Sequence, residues 1–287
     1  MINHAARVYF NPLKLFRRLL TASAEQRAVI EHCRDHNVLC TAVPGSGKTT
    51  TAELLVRANP RVPIAVVTYS KRLQVATQQR LAEYPEADAY TFHGLAGKLF
   101  QRVINNDNKL RSLRQENLPP ALNTPSYRYI VFDELQDGTS DLFWLASTFV
   151  SAVTHHGGLA PNLLVLGDAR QAIYQFRGAD ARYLLRADAL FAQLSPYPWA
   201  RLQLAQSFRM TRQTVAFVNN AFLGGEEDII STSNGPKPIY LHASLFDQKR
   251  LLGLPCPSSI ACSANDDQMR KTLSYHSCAG TVWSIVR

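Results

Sequence analysis

The sequence predicts an α/β protein built on a parallel sheet with helices on both faces. Short apolar runs rich in β-branched residues alternate with longer stretches of helical periodicity, which is typical of strands joined by crossover helices. Most of these runs end in small or polar residues, where open parallel sheets place their ligands. Apolar residues make up 46% of the 287 residues, which is enough to bury a sizeable core.

Five apolar runs are predicted strands, with helices between them. The predicted strands are residues 37–41, 63–68, 87–91, 129–132 and 162–166. The clearest helical patterns are residues 50–58 and 71–82. A further strand at residues 201–204 is followed by a predicted helix at residues 211–222, and beyond about residue 231 the pattern weakens.

The composition favours a polyanionic partner over a membrane or a disulfide framework. The formal net charge is +9, which suits a nucleic acid. The five cysteines are widely spaced and form no CxxC pair, so reduced thiols in a nuclear or cytoplasmic compartment are expected. No apolar run reaches the roughly 18 residues of a membrane helix. The basic N-terminus resembles a mitochondrial presequence in charge only, and a basic arm is the preferred interpretation.

A glycine-rich loop follows the first predicted strand and opens a helix. Its residues are Pro44, Gly45, Ser46, Gly47, Lys48 and Thr49. The glycines allow successive N–H groups to face a phosphate, and the helix N-terminus adds a favourable dipole. Lys48 is expected to contact the β- and γ-phosphates, and the Thr49 hydroxyl to bind Mg²⁺. The pattern predicts ATP with Mg²⁺, because a chance glycine-rich turn would not have strand, Lys-Thr and helix in register.

An acidic pair follows the predicted strand at residues 129–132. Asp133 is expected to hold the Mg²⁺ shell, and Glu134 to orient and deprotonate the attacking water. A solvated turn would explain an isolated Asp-Glu pair. The phosphate loop upstream favours the catalytic interpretation, because phosphoryl transfer needs mainly positioning and charge neutralisation.

Seven short motifs occur in the order found in one family. The segments are residues 20–26, 42–49, 67–71, 91–94, 133–137, 166–180 and 206–209. From about residue 20 to residue 222 the chain resembles the UvrD/Rep-like superfamily 1 DNA helicases, and its local sequence is most similar to the F-box DNA helicase branch. Each motif alone is weak, whereas their order is specific. The resemblance implies a RecA-like P-loop NTPase fold and, for an intact protein, movement from 3′ to 5′ on DNA.

The resemblance also implies further nucleotide contacts. Gln26 would read the adenine edge and Phe208 would pack on the adenine. Gln171 would sense the γ-phosphate and Arg209 would reach it as an arginine finger. Thr50 completes the predicted nucleotide-binding residues.

The same motifs imply a binding site for single-stranded DNA. Its predicted residues are Tyr69, Lys71, Thr91, Phe92, His93, Tyr174, Phe176 and Arg177. Aromatic side chains suit single-stranded DNA because every base offers a face for stacking, worth ~1–3 kcal/mol. For Tyr174 and Phe176 the alternative is ordinary packing in the core. For residues 91–93 the alternative is the end of a β-strand with a buried histidine. Single-stranded DNA or a junction with duplex is the expected partner, and the sequence does not identify protein partners.

The chain also departs from the family pattern. After Arg209 only 78 residues remain, too few for a full second RecA-like domain. Residues 272–283 resemble a DNA-contacting late motif, but Ala279 stands where lysine is expected and Val282 where glutamate is expected. No second arginine finger follows. Because an arginine finger is worth about 10³–10⁵ in turnover, a chain without the second one is expected to bind ATP well and hydrolyse it slowly. The missing motifs favour a truncated or fragmentary helicase.

Three regions are predicted. Residues 1–19 form a basic arm, residues 20–200 the first RecA-like ATP-binding domain with a surface insertion at 105–127, and residues 201–287 an incomplete second RecA-like domain. The preferred function is a DNA-dependent ATPase or helicase-type motor impaired by the missing motifs. A nucleotide- and strand-binding module that does not unwind, or a degenerate paralogue, is the alternative; an unrelated phosphate-loop NTPase is the third.

Overall fold

A computed structural model of the chain describes residues 22–121 and 126–238, together with the backbone of residues 277–278 and 281–282. The chain divides into two compact units. The first comprises Met1–Met210 and Asp228–Ser231, and the second comprises Thr211–Glu227 and Thr232–Arg287. The predicted basic arm and the side chains of Ala279 and Val282 lie outside the described residues.

The first unit is built on a six-stranded sheet in which every pair of neighbouring strands is parallel. The strands are β1 (Asn37–Ala42), β2 (Ile64–Thr68), β3 (Ala87–Thr91), β4 (Tyr129–Asp133), β5 (Asn162–Gly167) and β6 (Trp199–Leu204). Their order across the sheet is β3-β2-β4-β5-β1-β6. The predicted α/β class with a parallel sheet is confirmed, and β1 to β5 match the five predicted strands.

Eight helices of the first unit connect or flank these strands in the described residues. They are α1 (Ala24–His32), α2 (Lys48–Ala58), α3 (Lys71–Arg80), α4 (Phe92–Phe100), α5 (Asp107–Glu116), α6 (Ser140–Gly157), α7 (Arg182–Leu185) and α8 (Ala187–Leu190). One-turn 3₁₀ helices occupy Leu135–Asp137, Ala169–Gln171 and Gln175–Arg177. Side-chain caps at the N-termini of α1 and α3 to α6 satisfy backbone N–H groups there.

The sheet has a buried core on each face. Successive residues of a strand point to opposite faces, so Val38 and Leu39 of β1 belong to different clusters. Leu39 packs in the cluster that contains residues of α4, α5 and α6, and Val38 in the cluster that contains residues of α1 and α2. Helices therefore cover both faces, which explains why the central strands are apolar throughout.

The sixth strand corrects the predicted domain boundary. The sequence pattern places residues 201–204 in a second domain, but Trp199–Leu204 pairs with β1 along its whole length. The first unit continues to Met210. The strand lies at the edge of the sheet and alternates in burial, so its composition does not reveal which sheet it joins.

The predicted surface insertion at residues 105–127 also needs correction. It contains α5, in which Leu110 and Leu113 are almost fully buried in the core. These residues are three positions apart and therefore share one face of the helix. Tyr127, at the end of the stretch, is buried as well. The stretch is polar in composition, but part of it belongs to the domain core.

The outer edge of β3 is occupied by two glutamine side chains from α3. Gln74 donates a hydrogen bond from Nε2 to the carbonyl of Ala89 at 2.8 Å. Gln78 accepts one at Oε1 from the N–H of Ala89 at 3.1 Å. The two residues are one helical turn apart, so both backbone groups of Ala89 are satisfied from the same helix face.

The second unit contains one helix in the described residues, α9 (Arg212–Phe222), whose first turn is capped by the Thr211 side chain. Gln213 of this helix accepts a hydrogen bond from the N–H of Gly235 at 2.9 Å. Strands β7 (Ser277–Cys278) and β8 (Thr281–Val282) form an antiparallel pair. Across the described part of the chain, none of the helices combines the length and apolarity needed to cross a membrane.

Candidate nucleotide and nucleic-acid sites

Three loops meet at the carboxyl ends of neighbouring strands. β5 lies between β4 and β1 in the sheet, so the loops that follow these strands are adjacent. They carry the glycine-rich loop, the acidic pair and the segment that begins at Asp168. Open parallel sheets bind ligands at this edge.

The glycine-rich loop requires two glycines with left-handed backbone conformation. Gly45 has φ +76° and Gly47, which is the N-cap of α2, has φ +86°. A Cβ atom on Gly45 would lie 2.5 Å from the Cβ of Arg209, so the loop also needs glycine for this close approach. The N–H groups of the first turn of α2 are left for a ligand, because no side chain caps this helix.

Thr49 and Asp133, the two predicted metal ligands, are in direct contact. The Thr49 hydroxyl donates a hydrogen bond to Asp133 Oδ2 at 3.0 Å, and Asp133 Oδ1 is buried without a hydrogen-bond partner. Burial, and then the charge of Glu134, raises the pKa of Asp133 to about 7. A hydroxyl and an unsatisfied carboxylate oxygen are ligands that Mg²⁺ prefers, so these residues fit the ion. A nearby cation would also favour the ionised carboxylate.

Glu134 lies between the phosphate loop and Gln136. Its Oε1 is 3.5 Å from Lys48 Nζ, and its Oε2 accepts a hydrogen bond from Gln136 Nε2 at 2.7 Å. The backbone of Glu134 is left-handed, with φ +60°, which is uncommon for a residue other than glycine and clusters at functional sites. The carboxylate is therefore held by Lys48 on one side and Gln136 on the other. Lys48 itself is only 8% exposed.

Gln136, to which the sequence motifs assign no role, bridges two loops of the site. While its Nε2 holds Glu134, its Oε1 accepts a hydrogen bond from the N–H of Asp168 at 3.1 Å. A Cβ atom on Gly167 would lie 2.5 Å from the same oxygen, so the approach needs glycine. Gln136 thus joins the loop after β4 to the loop that carries Gln171. Its place in the Asp-Glu-Leu-Gln-Asp sequence was the available signal.

Two further carboxylates, on the half-buried Asp137 and the buried Asp168, lie near this bridge. Asp137 Oδ1 and Asp168 Oδ2 have no hydrogen-bond partner. Burial, followed by the charge of Glu134, raises the pKa of Asp137 to about 6, and burial raises the pKa of Asp168. Lys48 opposes both shifts. The site is therefore rich in acids that a bound cation would stabilise.

Gln26 contacts the phosphate loop as well as its own helix. Its Oε1 accepts a hydrogen bond from Ser23 N–H at 3.0 Å in a capping box, and its Nε2 lies 3.5 Å from the Gly47 carbonyl. The side chain is buried beside the loop. Thr50, also predicted to bind nucleotide, is half-buried in the first turn of α2. Contact of either residue with a nucleotide stays a prediction.

The segment 206–209 lies against the phosphate loop. The Ser207 hydroxyl donates to the Pro44 carbonyl at 2.8 Å, and Phe208 N–H donates to the Gly45 carbonyl at 2.9 Å. Glu25 adds an acceptor for Gln206 N–H at 3.2 Å. The side chains of Phe208 and Arg209 are exposed, so both are accessible to a ligand.

A partly exposed aromatic surface is formed by the loops after β2 and β5, at the same edge of the sheet; Tyr69 and Tyr174 are half-buried and Phe176 is exposed. The rings of Tyr69 and Tyr174 are 6.3 Å apart, and those of Tyr174 and Phe176 are 6.1 Å apart. The Arg177 guanidinium lies 5.5 Å from both of the latter rings. Phe176 is 78% exposed, which excludes the core-packing alternative for this residue.

Residues 91–93, which are predicted to contact single-stranded DNA, differ in how accessible they are. Phe92 is a core residue, 2% exposed and stacked on Phe132 with ring centroids 6.3 Å apart, so its assignment to DNA binding is wrong. The Thr91 hydroxyl caps α4, and His93 Nε2 lies 3.0 Å from Asp107 Oδ1. Lys71 is exposed and donates to Gln74 Oε1 at 2.8 Å. DNA contact by Thr91, His93 and Lys71 stays a prediction.

Comparison with known proteins identifies a matching family and several relatives. A family model described as an AAA domain (AAA_19) matches residues 25–177, just over half of the chain. An ATP-dependent helicase/nuclease subunit from Bacillus cytotoxicus is 25% identical over 183 residues, covering 55% of this chain and 15% of that protein. Its counterpart from Staphylococcus aureus is 29% identical over 117 residues, covering 39% of this chain and 9% of that protein.

Solved structures give a more distant likeness. A Bacteroides Pif1 bound to single-stranded DNA has a TM-score of 0.42 and 17% identity, covering 70% of this chain and 46% of that chain. An unliganded Pif1 from Bacteroides has a TM-score of 0.44 and 17% identity over a similar share, covering 70% of this chain and 45% of that one. The chain thus spans a small part of the curated relatives and less than half of these structures.

Proposed function

This chain belongs to the AAA domain family AAA_19, and from that premise we propose that it is an ATP-binding, DNA-dependent ATPase domain of the helicase type. The observation that carries the proposal is the convergence of the Thr49–Asp133 and Lys48–Glu134 pairs at the carboxyl edge of the sheet. Its expected partner is single-stranded DNA or a junction with duplex, and its expected polarity is 3′ to 5′.

The chemistry follows from the positions of these residues. The loop amides and Lys48 would hold the triphosphate, and Thr49 and Asp133 would hold Mg²⁺. The metal would supply charge neutralisation at the phosphates. Glu134 would accept a proton from the attacking water, and the Gln136 contact keeps its carboxylate oriented. Arg209 would stabilise the charge that develops on the γ-phosphate.

The aromatic surface supports the proposed partner. Tyr69, Tyr174 and Phe176 present a row of rings on which bases would stack, and Arg177 is placed for a phosphate or a base face. Gln171 lies between this surface and Asp168 along the chain, and it would connect strand binding to the γ-phosphate. The net charge of +9 would favour association with a polyanion.

The proposal predicts that single-stranded DNA accelerates ATP hydrolysis by the wild-type chain. We expect at least about a tenfold rise in turnover when a saturating oligonucleotide is added, measured as phosphate release at fixed Mg²⁺ and ATP. An arginine finger and an oriented base supply effects of this size or larger. Turnover that is indistinguishable with and without oligonucleotide would refute the motor and favour a nucleotide- and strand-binding module.

Replacement of two aromatic rings tests separately whether the aromatic surface binds DNA. We expect Tyr174→Ala with Phe176→Ala to weaken oligonucleotide binding at least about 30-fold, because each stacked base is worth ~1–3 kcal/mol. Fluorescence anisotropy of a labelled oligonucleotide gives the affinity, and a fluorescent ATP analogue checks that nucleotide binding is retained. Leu159→Ala is the control, since Leu159 is 74% exposed and precedes β5 at the opposite edge of the sheet. Equal oligonucleotide affinity in the double variant and the wild type would exclude this surface.

A further inference from the structure

A short segment, Asp228–Ser231, holds the stretch 205–210 from one side; we call it the clamp. Ser207 N–H donates to the Ile230 carbonyl at 2.8 Å, and Ile230 N–H donates to the Ala205 carbonyl at 3.0 Å. The Ser231 hydroxyl donates to the Met210 carbonyl at 2.6 Å. Ile229 is 3% exposed, so the clamp is anchored by a buried side chain as well as by backbone bonds.

The other side of the same stretch contacts the phosphate loop. Ser207 and Phe208 make the two bonds to Pro44 and Gly45 described above. The Ser207 hydroxyl oxygen also accepts a hydrogen bond from Met210 N–H at 3.2 Å. The backbone that carries Arg209 is therefore fixed between the phosphate loop and the clamp.

An ion pair joins the clamp to the loop after β5. Arg170 Nη2 donates to Asp228 Oδ2. The backbone N–H of Arg170 donates to Asp168 Oδ1 at 3.0 Å, and Arg170 directly precedes Gln171 in a one-turn helix. The same loop continues to the aromatic residues at 174 and 176. A displacement of this loop would therefore be transmitted to Asp228, and through the clamp to residues 205–210.

We propose that Arg170 and Asp228 are positioning residues that couple strand binding on the aromatic surface to the nucleotide site. This inference rests on the proposed function. The pair is partly exposed, with 50% and 30% of the two side chains accessible, and such pairs contribute little to global stability. Its loss should leave the fold intact and loosen the clamp locally. Coupling requires a physical connection with different contacts in the two states, and this pair supplies one between the two sites.

Amide hydrogen exchange tests the positioning role without any ligand. We expect Asp228→Asn and Arg170→Gln each to accelerate exchange in residues 205–210 about two- to fivefold, because the clamp bonds open more often. The charge-swapped variant Arg170→Asp with Asp228→Arg should restore the wild-type rate. Glu116→Gln is the matched control, since it removes the exposed pair with Arg102 between α4 and α5. Exchange at 205–210 that is unchanged in both single variants would overturn the positioning role.

Linkage between the two ligands tests the coupling. The probes are a labelled oligonucleotide and a non-hydrolysable ATP analogue with Mg²⁺. The measured quantity is the factor by which the analogue changes the affinity for the oligonucleotide, in either direction. We expect this factor to shrink at least threefold toward unity in each single variant and to recover in the swapped variant, with each ligand's affinity alone retained. An undiminished ratio in the single variants would overturn the coupling. A wild type that binds neither probe would instead refute the proposed function together with the coupling, and the exchange result would still decide the positioning role.

Discussion

Glu134→Gln is expected to lower ATP turnover about 10²–10⁴-fold, because it removes the group placed to accept a proton from water. The amide has nearly the same shape, so the contacts with Lys48 and Gln136 can persist in altered form. Nucleotide affinity should stay within a few fold of the wild type. Phosphate release with saturating oligonucleotide measures turnover, and titration of a fluorescent ATP analogue measures affinity.

The control for this variant is Glu86→Gln. Glu86 is exposed and precedes β3, at the edge of the sheet opposite the nucleotide site. Its replacement should leave turnover unchanged. If Glu134→Gln hydrolysed ATP at the rate of the control, another group would have to serve as the base, and the proposed mechanism would be wrong.

Lys48→Ala is expected to weaken binding of Mg²⁺·ATP at least about 30-fold. Lys48 is almost completely buried, and truncation of one partner in a buried charge pair typically costs about 2–5 kcal/mol. The variant also leaves Asp133 and Glu134 without the opposing charge, so repulsion between the acids and the triphosphate increases. Affinity for the fluorescent analogue is the measurement, with circular dichroism to verify folding.

Lys109→Ala is the matched control for the lysine. Lys109 is an exposed cation in the first turn of α5, and no contact with the nucleotide is proposed for it. Its removal lowers the net charge by the same amount and should leave affinity unaltered. Wild-type affinity in a folded Lys48→Ala protein would remove the phosphate assignment.

Local sequence patterns are sufficient to predict much of the fold. Strands β1 to β5 and the phosphate loop are predictable because short apolar runs, their polar ends and the glycines all lie within a few residues of each other. The predicted relation to superfamily 1 helicases is confirmed by the family match and the helicase/nuclease relatives. Asp133 is the last residue of β4 and Glu134 follows it directly, so the position of both depends mainly on that strand.

Long-range contacts account for the features that local patterns miss. The sheet that β6 joins depends on pairing with β1, more than 150 residues earlier in the chain. Phe92 belongs to a motif that predicts DNA binding, whereas its ring faces the core and stacks on Phe132. The roles of Gln136, Ser207 and Asp228 arise from bonds between loops that only the folded sheet brings together.

The glutamine contacts on β3 bear on how the protein behaves at high concentration. A strand at the end of a sheet offers unpaired backbone groups to which a strand of another molecule can add. Gln74 and Gln78 occupy both groups of Ala89 in the middle of the five-residue β3, which interrupts that template without a proline or a bulge. This edge of the sheet is therefore a poor starting point for fibril growth, and the protection depends on α3 staying docked.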